Sequence, residues 1–348
     1  METKIWKVDN SVDNNDIYPQ IVDAASLLRD GELVAFPTET VYGLGANALN
    51  GQAVANIYRA KGRPSDNPLI VHIGHKDQLN GLVEEIPELA QPLMDRFWPG
   101  PLTLIFKKKE GVFPDTVTAG LSTVAIRMPD HPCALQLIRE SGCPVAAPSA
   151  NLSGKPSPTT AEHVYEDLSG RIAGIVDGGA TGVGLESTVL DITGEVPLIL
   201  RPGGIVIEQL QEAIGRVEVD KGLLKEKEAP KAPGMKYKHY APEAPFTLVE
   251  GSTEFLQSLV DEKRAAGLRV GVYTVEEHEN LYEADIILAG GTLKNLQTVA
   301  ENMYAVLRQF DHERPDVIFG EAFPREGIGE AIMNRLLKAA NGKIIKEG

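Results

Sequence analysis

Two cysteines in 348 residues leave the chain without a thiol framework. Cys133 and Cys143 form neither a C-x-x-C pair nor a ligand cluster with histidine, so nothing proposes a structural zinc, and such sparse use fits a reducing compartment. Long hydrophobic runs are missing too. No apolar stretch approaches membrane-spanning length, and Met1-Glu2-Thr3-Lys4-Ile5-Trp6 has no apolar h-region, so a cytoplasmic protein is expected. Positive charge is scarce. A net charge of −15 argues against wholesale coating of nucleic acid, although a local basic site for a small anion stays open. Familiar catalytic motifs are also lacking. Gly154-Lys155 is followed by Pro156, so there is no Walker P-loop. There is no G-x-S-x-G elbow and no H-E-x-x-H, hence no sign of a covalent nucleophile. No internal repeat occurs.

What is present is an ordinary globular composition, 43% hydrophobic and 24% charged, in a chain long enough to divide into two domains. Its organising stretch is Pro37-Thr38-Glu39-Thr40-Val41-Tyr42-Gly43-Leu44-Gly45, which follows the apolar run Leu33–Phe36. Proline cannot donate to a sheet ladder, so the strand is expected to end at Pro37. Gly43 and Gly45 then read as parts of a polar loop that a ligand could approach closely. An ordinary turn in which Thr and Glu cap a helix is the plainer alternative.

Helical spacing over 19–30 and 51–60, a helix around 88–97, and helices at 132–140 and 160–168 alternate with apolar strands. Those strands are Leu69–Ile73, Leu102–Phe106, Val124–Arg127, Val145–Ala147, 174–177, 186–191 and 198–203. This predicts a mixed α/β domain over residues 1–216. Residues 217–245 crowd Lys221, Lys225, Lys227, Lys231, Lys236 and Lys238 among prolines, which reads as a linker able to close over an anion. From Phe246 to Gly348 strands and helices alternate again. That predicts a smaller doubly wound, Rossmann-like parallel-sheet domain, without the G-x-G-x-x-G of a dinucleotide site.

Polar residues gather at the strand ends: Thr40, Lys61, Arg63, Asn67, His72, Thr123, Arg127, Ser149, Asn151, Ser187 and Arg201. Cations and hydroxyls dominate, a mixture suited to phosphates and a carboxylate. Each also has a structural reading. In Leu69–Ile73, alternation puts His72 opposite Val71 and Ile73, where a lone histidine often serves as a hydrogen-bonder. Arg127 follows three apolar residues and is costly there unless ion-paired. Ser149 and Asn151 could simply build a turn.

Taken jointly, the motifs PTETVYGLG (Pro37–Gly45), KGRPSDNPL (Lys61–Leu69), APSAN (Ala147–Asn151), ESTV (Glu186–Val189) and LRPG (Leu200–Gly203) closely resemble the YrdC-like threonylcarbamoyl-AMP synthases. Pro233–Pro242 resembles the linker of that family's two-domain form, and at none of these positions does the sequence depart from the pattern. The resemblance implies a YrdC-like mixed-sheet catalytic domain. It also implies condensation of L-threonine, bicarbonate and ATP to threonylcarbamoyl-adenylate and pyrophosphate, the first step of t6A formation at tRNA position 37. It implies an L-threonine pocket of Thr40, His72, Arg127, Ala147 and Ser187. ATP would be met by Arg63, Asn67, Thr123, Ser149, Asn151, Ser157 and Arg201, with Lys61 near the phosphates and Tyr237 folding onto the nucleotide. Mg²⁺ would arrive on the phosphates, and a tRNA threonylcarbamoyl transferase complex would take the product. Direct contact with tRNA is left open. Two rivals rank behind this reading. One is an RNA-binding module, disfavoured by the charge and by the want of an aromatic basic stripe. The other is a carbamoyl-transfer enzyme, whose relatives carry zinc-finger parts absent here.

Overall fold

A computed structural model describes residues 2–8, 18–220 and 239–348. These divide into two compact units. Residues 2–8, 18–153, 158–182 and 186–220 make the first, and 154–157, 183–185 and 239–348 make the second. Most of the expected linker, including Tyr237, lies outside the described residues.

The first unit is built on one eleven-stranded mixed sheet. In chain order its strands are β1 (Lys4–Lys7), β2 (Val34–Phe36), β3 (Gly43–Asn47), β4 (Ile70–His72), β5 (Leu102–Lys107), β6 (Thr123–Arg127), β7 (Val145–Ala146), β8 (Gly174–Asp177), β9 (Thr188–Asp191), β10 (Leu198–Arg201) and β11 (Glu218–Val219). Side by side they run β1-β8-β2-β3-β7-β4-β6-β5-β9-β10-β11.

Strand alternation sorts the core into layers. Val34, Phe36, Val145 and Val176 pack on one face with Ile21, Ala25, Leu28, Leu137 and Ile138, which come from helices Pro19–Arg29 and Pro132–Ser141. Ala35, Leu44, Val71, Leu104, Ile126 and Leu190 pack on the other, with Val54 and Ile57 of helix Gly51–Lys61 and Leu93 of helix Ala90–Phe97. Opposite that second layer, over β4, β6, β5, β9 and β10, lies a patch of strand residues alone: Ile70, Ile105, Ala125, Val189 and Leu200. This patch is the floor of the site described below.

Pro37–Gly45 differs from the loop expected of it. β2 and β3 pair antiparallel, with Phe36 opposite Gly43 and Val34 opposite Gly45, so both glycines are strand residues and only the stretch between them turns. Close packing explains the glycines. A Cβ on Gly45 would come within 2.9 Å of the Phe36 ring and 3.0 Å of Val145 Cγ1.

Helix Gly51–Lys61 begins where the Asn50 side chain accepts the Gln52 and Ala53 amides at 3.0 and 3.2 Å, a cap worth about 1 kcal/mol. It ends at Gly62, whose φ of 62° suits a residue without a Cβ. That ending leaves Lys61 buried at the inner end of the helix.

The second unit holds a five-stranded, wholly parallel sheet of β12 (Phe246–Glu250), β13 (Val270–Thr274), β14 (Ile286–Ala289), β15 (Val317–Glu321) and β16 (Ile344–Lys346), ordered β14-β13-β15-β12-β16. Helices Thr253–Ala265, Leu296–Glu313 and Ile328–Ala339 alternate with them. The doubly wound expectation is met, with β15 set between the sequence neighbours β12 and β13. Strand β16 had no signal beyond three residues. Arg308 donates to the Pro156 carbonyl at 2.7 Å, and Ala241 N–H to the Gly154 carbonyl at 2.9 Å, which accounts for residues 154–157 in this unit. No helix among the described residues is long and apolar enough to cross a membrane.

Candidate active site

Register puts several of the expected residues on the floor's own face. β4 and β6 run parallel with His72 beside Arg127 and Ile70 beside Ala125. Alternation along β6 gives Thr123, Ala125 and Arg127 that face, while Val124 and Ile126 enter the core. His72 is likewise opposite Val71 and Ile73, and its ring meets Phe36 edge-on at 6.2 Å.

Arg127 is 4% exposed and held from three sides. Nε donates to the Gly100 carbonyl at 3.2 Å, Nη1 to Thr40 Oγ1 at 3.0 Å, and Nη2 faces Glu39 Oε2 at 2.6 Å. The ion pair that a buried cation required is therefore supplied by the organising stretch itself. Glu39 was not among the expected site residues; its one expected role was as a helix cap. The only signal for it was that Arg127 needed a counter-charge.

Thr38 fixes the polarity of Thr40. Its hydroxyl donates to the Val41 carbonyl at 2.7 Å and accepts the Thr40 and Val41 amides at 3.2 and 3.3 Å. With its one proton so committed, Thr38 Oγ1 is the acceptor in its 2.8 Å contact with Thr40 Oγ1. Thr40 thus donates to Thr38, accepts from Arg127, and has one lone pair left.

Ser187 sits immediately before β9, between Thr103 and Arg201. Its hydroxyl lies 2.7 Å from Thr103 Oγ1. Arg201 donates through Nε and Nη2 to the Ser187 carbonyl at 3.1 and 2.9 Å, and through Nη2 to the hydroxyl at 3.1 Å. Strict alternation would turn Arg201 with Ile199 into the core. Instead the β9–β10 register slips, pairing Ile199 with Leu190 and then Arg201 with Val189. The extra residue rotates Arg201 onto the face of Val189 and Ser187. Gly203 completes the corner: a Cβ there would lie 2.3 Å from the Glu186 carbonyl oxygen and 2.4 Å from the Thr188 nitrogen.

The segment Trp98–Pro101 joins these two groups. The Gly100 carbonyl holds Arg127, and the Pro101 carbonyl accepts the Thr188 amide at 3.0 Å.

Lys61 does not project into open space. Its ammonium reaches the carbonyls of Ser149 and Asn151, each at 2.5 Å, and Asn151 Oδ1 at 3.3 Å. Ser149 Oγ also donates to Asn151 Oδ1 at 2.5 Å. The ammonium thus contacts the APSAN loop, which is stitched in turn to the organising stretch: Leu44 N–H to the Pro148 carbonyl at 2.8 Å, and Ala150 N–H to the Tyr42 carbonyl at 2.8 Å. Leu152 N–H donates to Asp167 Oδ2 at 3.1 Å and fixes the loop's far side.

Arg63 donates to the Pro68 carbonyl at 3.4 Å. Asn67 is fully buried, yet neither atom of its side-chain amide has a hydrogen-bond partner among the described residues. Ala147 is buried and its N–H donates to the Ile70 carbonyl at 2.9 Å. Ser157 is buried in the second unit.

Electrostatics follow from burial. Desolvation, with Arg127 as a second cause, pushes the His72 pKa down to about 3, so the imidazole is neutral at physiological pH. Burial also lowers His131, against the pull of Glu39, and burial followed by Glu39 raises Asp130.

The arrangement is an apolar floor rimmed by one fixed guanidinium, one neutral imidazole, oriented hydroxyls and a second arginine. It suits a small zwitterion beside a polyanion. The chain compares closely with proteins of that chemistry. A family model described as telomere recombination, covering Sua5, YciO and YrdC, matches residues 26–203, and one described as the threonylcarbamoyl-AMP synthase C-terminal domain matches residues 205–341. The threonylcarbamoyl-AMP synthase of Bacillus subtilis (strain 168) is 59% identical over 348 residues, 99% of this chain and 100% of the relative. That of Pyrococcus abyssi is 49% identical over 328 residues, 93% and 94% of the two chains. The crystal structure of P. abyssi Sua5 complexed with L-threonine superposes with a TM-score of 0.93 at 47% identity, covering 99% of this chain and all of that one.

Proposed function

The chain belongs to the Sua5/YrdC family of threonylcarbamoyl-AMP synthases, and from that premise we propose that it joins L-threonine, bicarbonate and ATP into threonylcarbamoyl-adenylate with release of pyrophosphate. The observation that carries the site assignment is the state of Arg127. Two of its five N–H donors are hydrogen-bonded, to Gly100 and Thr40, and Nη2 is ion-paired with Glu39 without a hydrogen bond of its own. At least one N–H is left on each terminal nitrogen, the pair that a carboxylate bridges bidentately.

L-Threonine's carboxylate takes that fork. Its hydroxyl meets the neutral His72 and the Ser187 hydroxyl, and its carbon skeleton lies on the apolar floor. ATP lies toward Arg201, Ser149 and Asn67, with Arg63, Thr123 and Asn151 as further contacts. Lys61 shapes the Ser149–Asn151 loop and lends its positive field to the triphosphate. Arg201 touches both sides of the reaction, because it orders Ser187 while facing the nucleotide.

Threonine's amine adds to CO2 or bicarbonate, and the carbamate oxygen then attacks the α-phosphorus as pyrophosphate leaves. Neither step needs a protein nucleophile. Catalysis is positioning together with stabilisation of developing charge. Mg²⁺ arrives with ATP. Phosphate oxygens would hold it while it offsets their charge. The product is the activated precursor of t6A at tRNA position 37, consumed by a threonylcarbamoyl transferase complex in the cytoplasm.

The test is pyrophosphate release from ATP and Mg²⁺ with threonine, serine or valine, with and without bicarbonate. Release requiring both bicarbonate and threonine, with the adenylate's mass in the products, supports the reading. A site built around the hydroxyl should use valine far less well. Release without bicarbonate would mean simple amino-acid adenylation, and no release would remove the reading.

A further inference from the structure

The synthase reading leaves one charge of the amino acid unaccounted for. A zwitterion on Arg127 brings an ammonium within reach of whatever stands beside that guanidinium. What stands there is Glu39. Its Oε2 lies 2.6 Å from Arg127 Nη2, and its side chain is 13% exposed. Both its oxygens are buried without a hydrogen-bond partner among the described residues, and Oε1 also stands outside the ion pair. A buried carboxylate oxygen without a donor is costly, and a ligand N–H would remove that cost. Thr40, the next residue, points the same way: with its proton committed to Thr38, it can only accept from a ligand. The other acid in electrostatic reach, Asp130, is exposed to solvent.

We infer that Glu39 is a further catalytic residue, which binds the amino group of the substrate through Oε1 and carries its protons during carbamate formation. This rests on the synthase reading. One ammonium proton passes to Oε1, and the nitrogen keeps the electron pair. Glu39 delivers that proton to bicarbonate, which breaks into water and CO2. The nitrogen lone pair forms the N–C bond to CO2 as one C=O pair moves onto oxygen. A second N–H proton then returns to Oε1 and leaves to solvent. In sum, R–NH3⁺ and HCO3⁻ become R–NH–COO⁻, water and one proton. Adenylyl transfer from ATP to the finished carbamate requires no such proton carrier.

That division supplies the test. Glu39→Gln keeps an oxygen for Arg127 but cannot take a proton. In the full chain, its pyrophosphate release from L-threonine, bicarbonate and ATP should fall about 100-fold or more, mainly in kcat. ATP formation from threonylcarbamoyl-adenylate and pyrophosphate, the adenylyl step in reverse, should lose at least about tenfold less than the forward reaction, because it needs no proton carrier. Glu39→Asp should restore part of the forward rate. Forward turnover within about threefold in Glu39→Gln would overturn the assignment, and so would equal loss in both directions, which marks a structural role. An unsubstituted chain inactive in both directions would instead remove the synthase reading, and this assignment with it.

Discussion

Arg201 clasps Ser187: three hydrogen bonds of 2.9 to 3.1 Å run from one guanidinium to the carbonyl and hydroxyl of one serine. The contact exists because a bulge in β10 turns Arg201 away from the core. A lysine has charge but no planar fork. Arg201→Lys should therefore lose activity toward both substrates, by roughly ten- to hundredfold in kcat/KM, because misplacing Ser187 disturbs the threonine side as well. Loss confined to the KM for ATP would show that the clasp has no influence on threonine.

Arg127→Ala should raise the KM for threonine sharply while nucleotide binding persists. The variant also strands Glu39 as a buried, unpaired carboxylate, a change that typically destabilises by about 3–5 kcal/mol. Arg127→Ala combined with Glu39→Gln should recover much of that stability in urea unfolding, but no activity. Additive losses in the double variant would mean that the ion pair does not couple the two residues.

His72 makes stability depend on pH. Its unfolded imidazole takes a proton near 6.5, whereas the folded one resists until about 3. The unfolded state therefore binds more protons between those values, and stability should fall as pH drops through that window. In His72→Gln the slope of urea midpoint against pH, between pH 7.5 and 5, should be shallower. An unchanged slope would assign the acid sensitivity to other groups.

Gly203→Ala forces a Cβ to within 2.3 Å of the Glu186 carbonyl oxygen, with backbone on both sides. The chain must shift at Ser187, so a loss of about 3 kcal/mol or more is expected, together with a loss of turnover. Gly62→Ala is a useful contrast. Its added Cβ meets nothing within 4 Å, and its penalty comes from a φ of 62° alone.

Chelation should abolish pyrophosphate release without moving the thermal midpoint of the nucleotide-free protein, because the described residues contain no carboxylate or histidine cage for a cation. Excess Mg²⁺ should restore turnover. A midpoint that falls on chelation would reveal a structural metal.

Much of the fold was legible because it is written in short-range periodicity. The spacing of Ile21, Ala25 and Leu28 marks a helix, and the alternation of Val71, His72 and Ile73 assigns His72 its face. Elements carrying little pattern escaped notice: β1 and β16, at the edges of their sheets, and helix Ile207–Ile214. The β2–β3 hairpin was missed for a different reason. Gly43 and Gly45 resemble loop residues in a one-dimensional string, and only the neighbouring Phe36 ring and Val145 explain them.

The sequence by itself determined the layered α/β alternation, the family motifs and the residue types able to hold an anion. These depend on contacts along a strand or a helix turn, or on identity at a position. Tertiary structure alone decided that Arg127 meets Glu39, that Lys61 closes on the Ser149–Asn151 loop, and that Arg201 faces Ser187 rather than the core. Each of those contacts joins residues 14 to 90 positions apart. Register, a single inserted residue and the desolvation of a charge settle such contacts, and none of these appears in the chain until its strands are side by side.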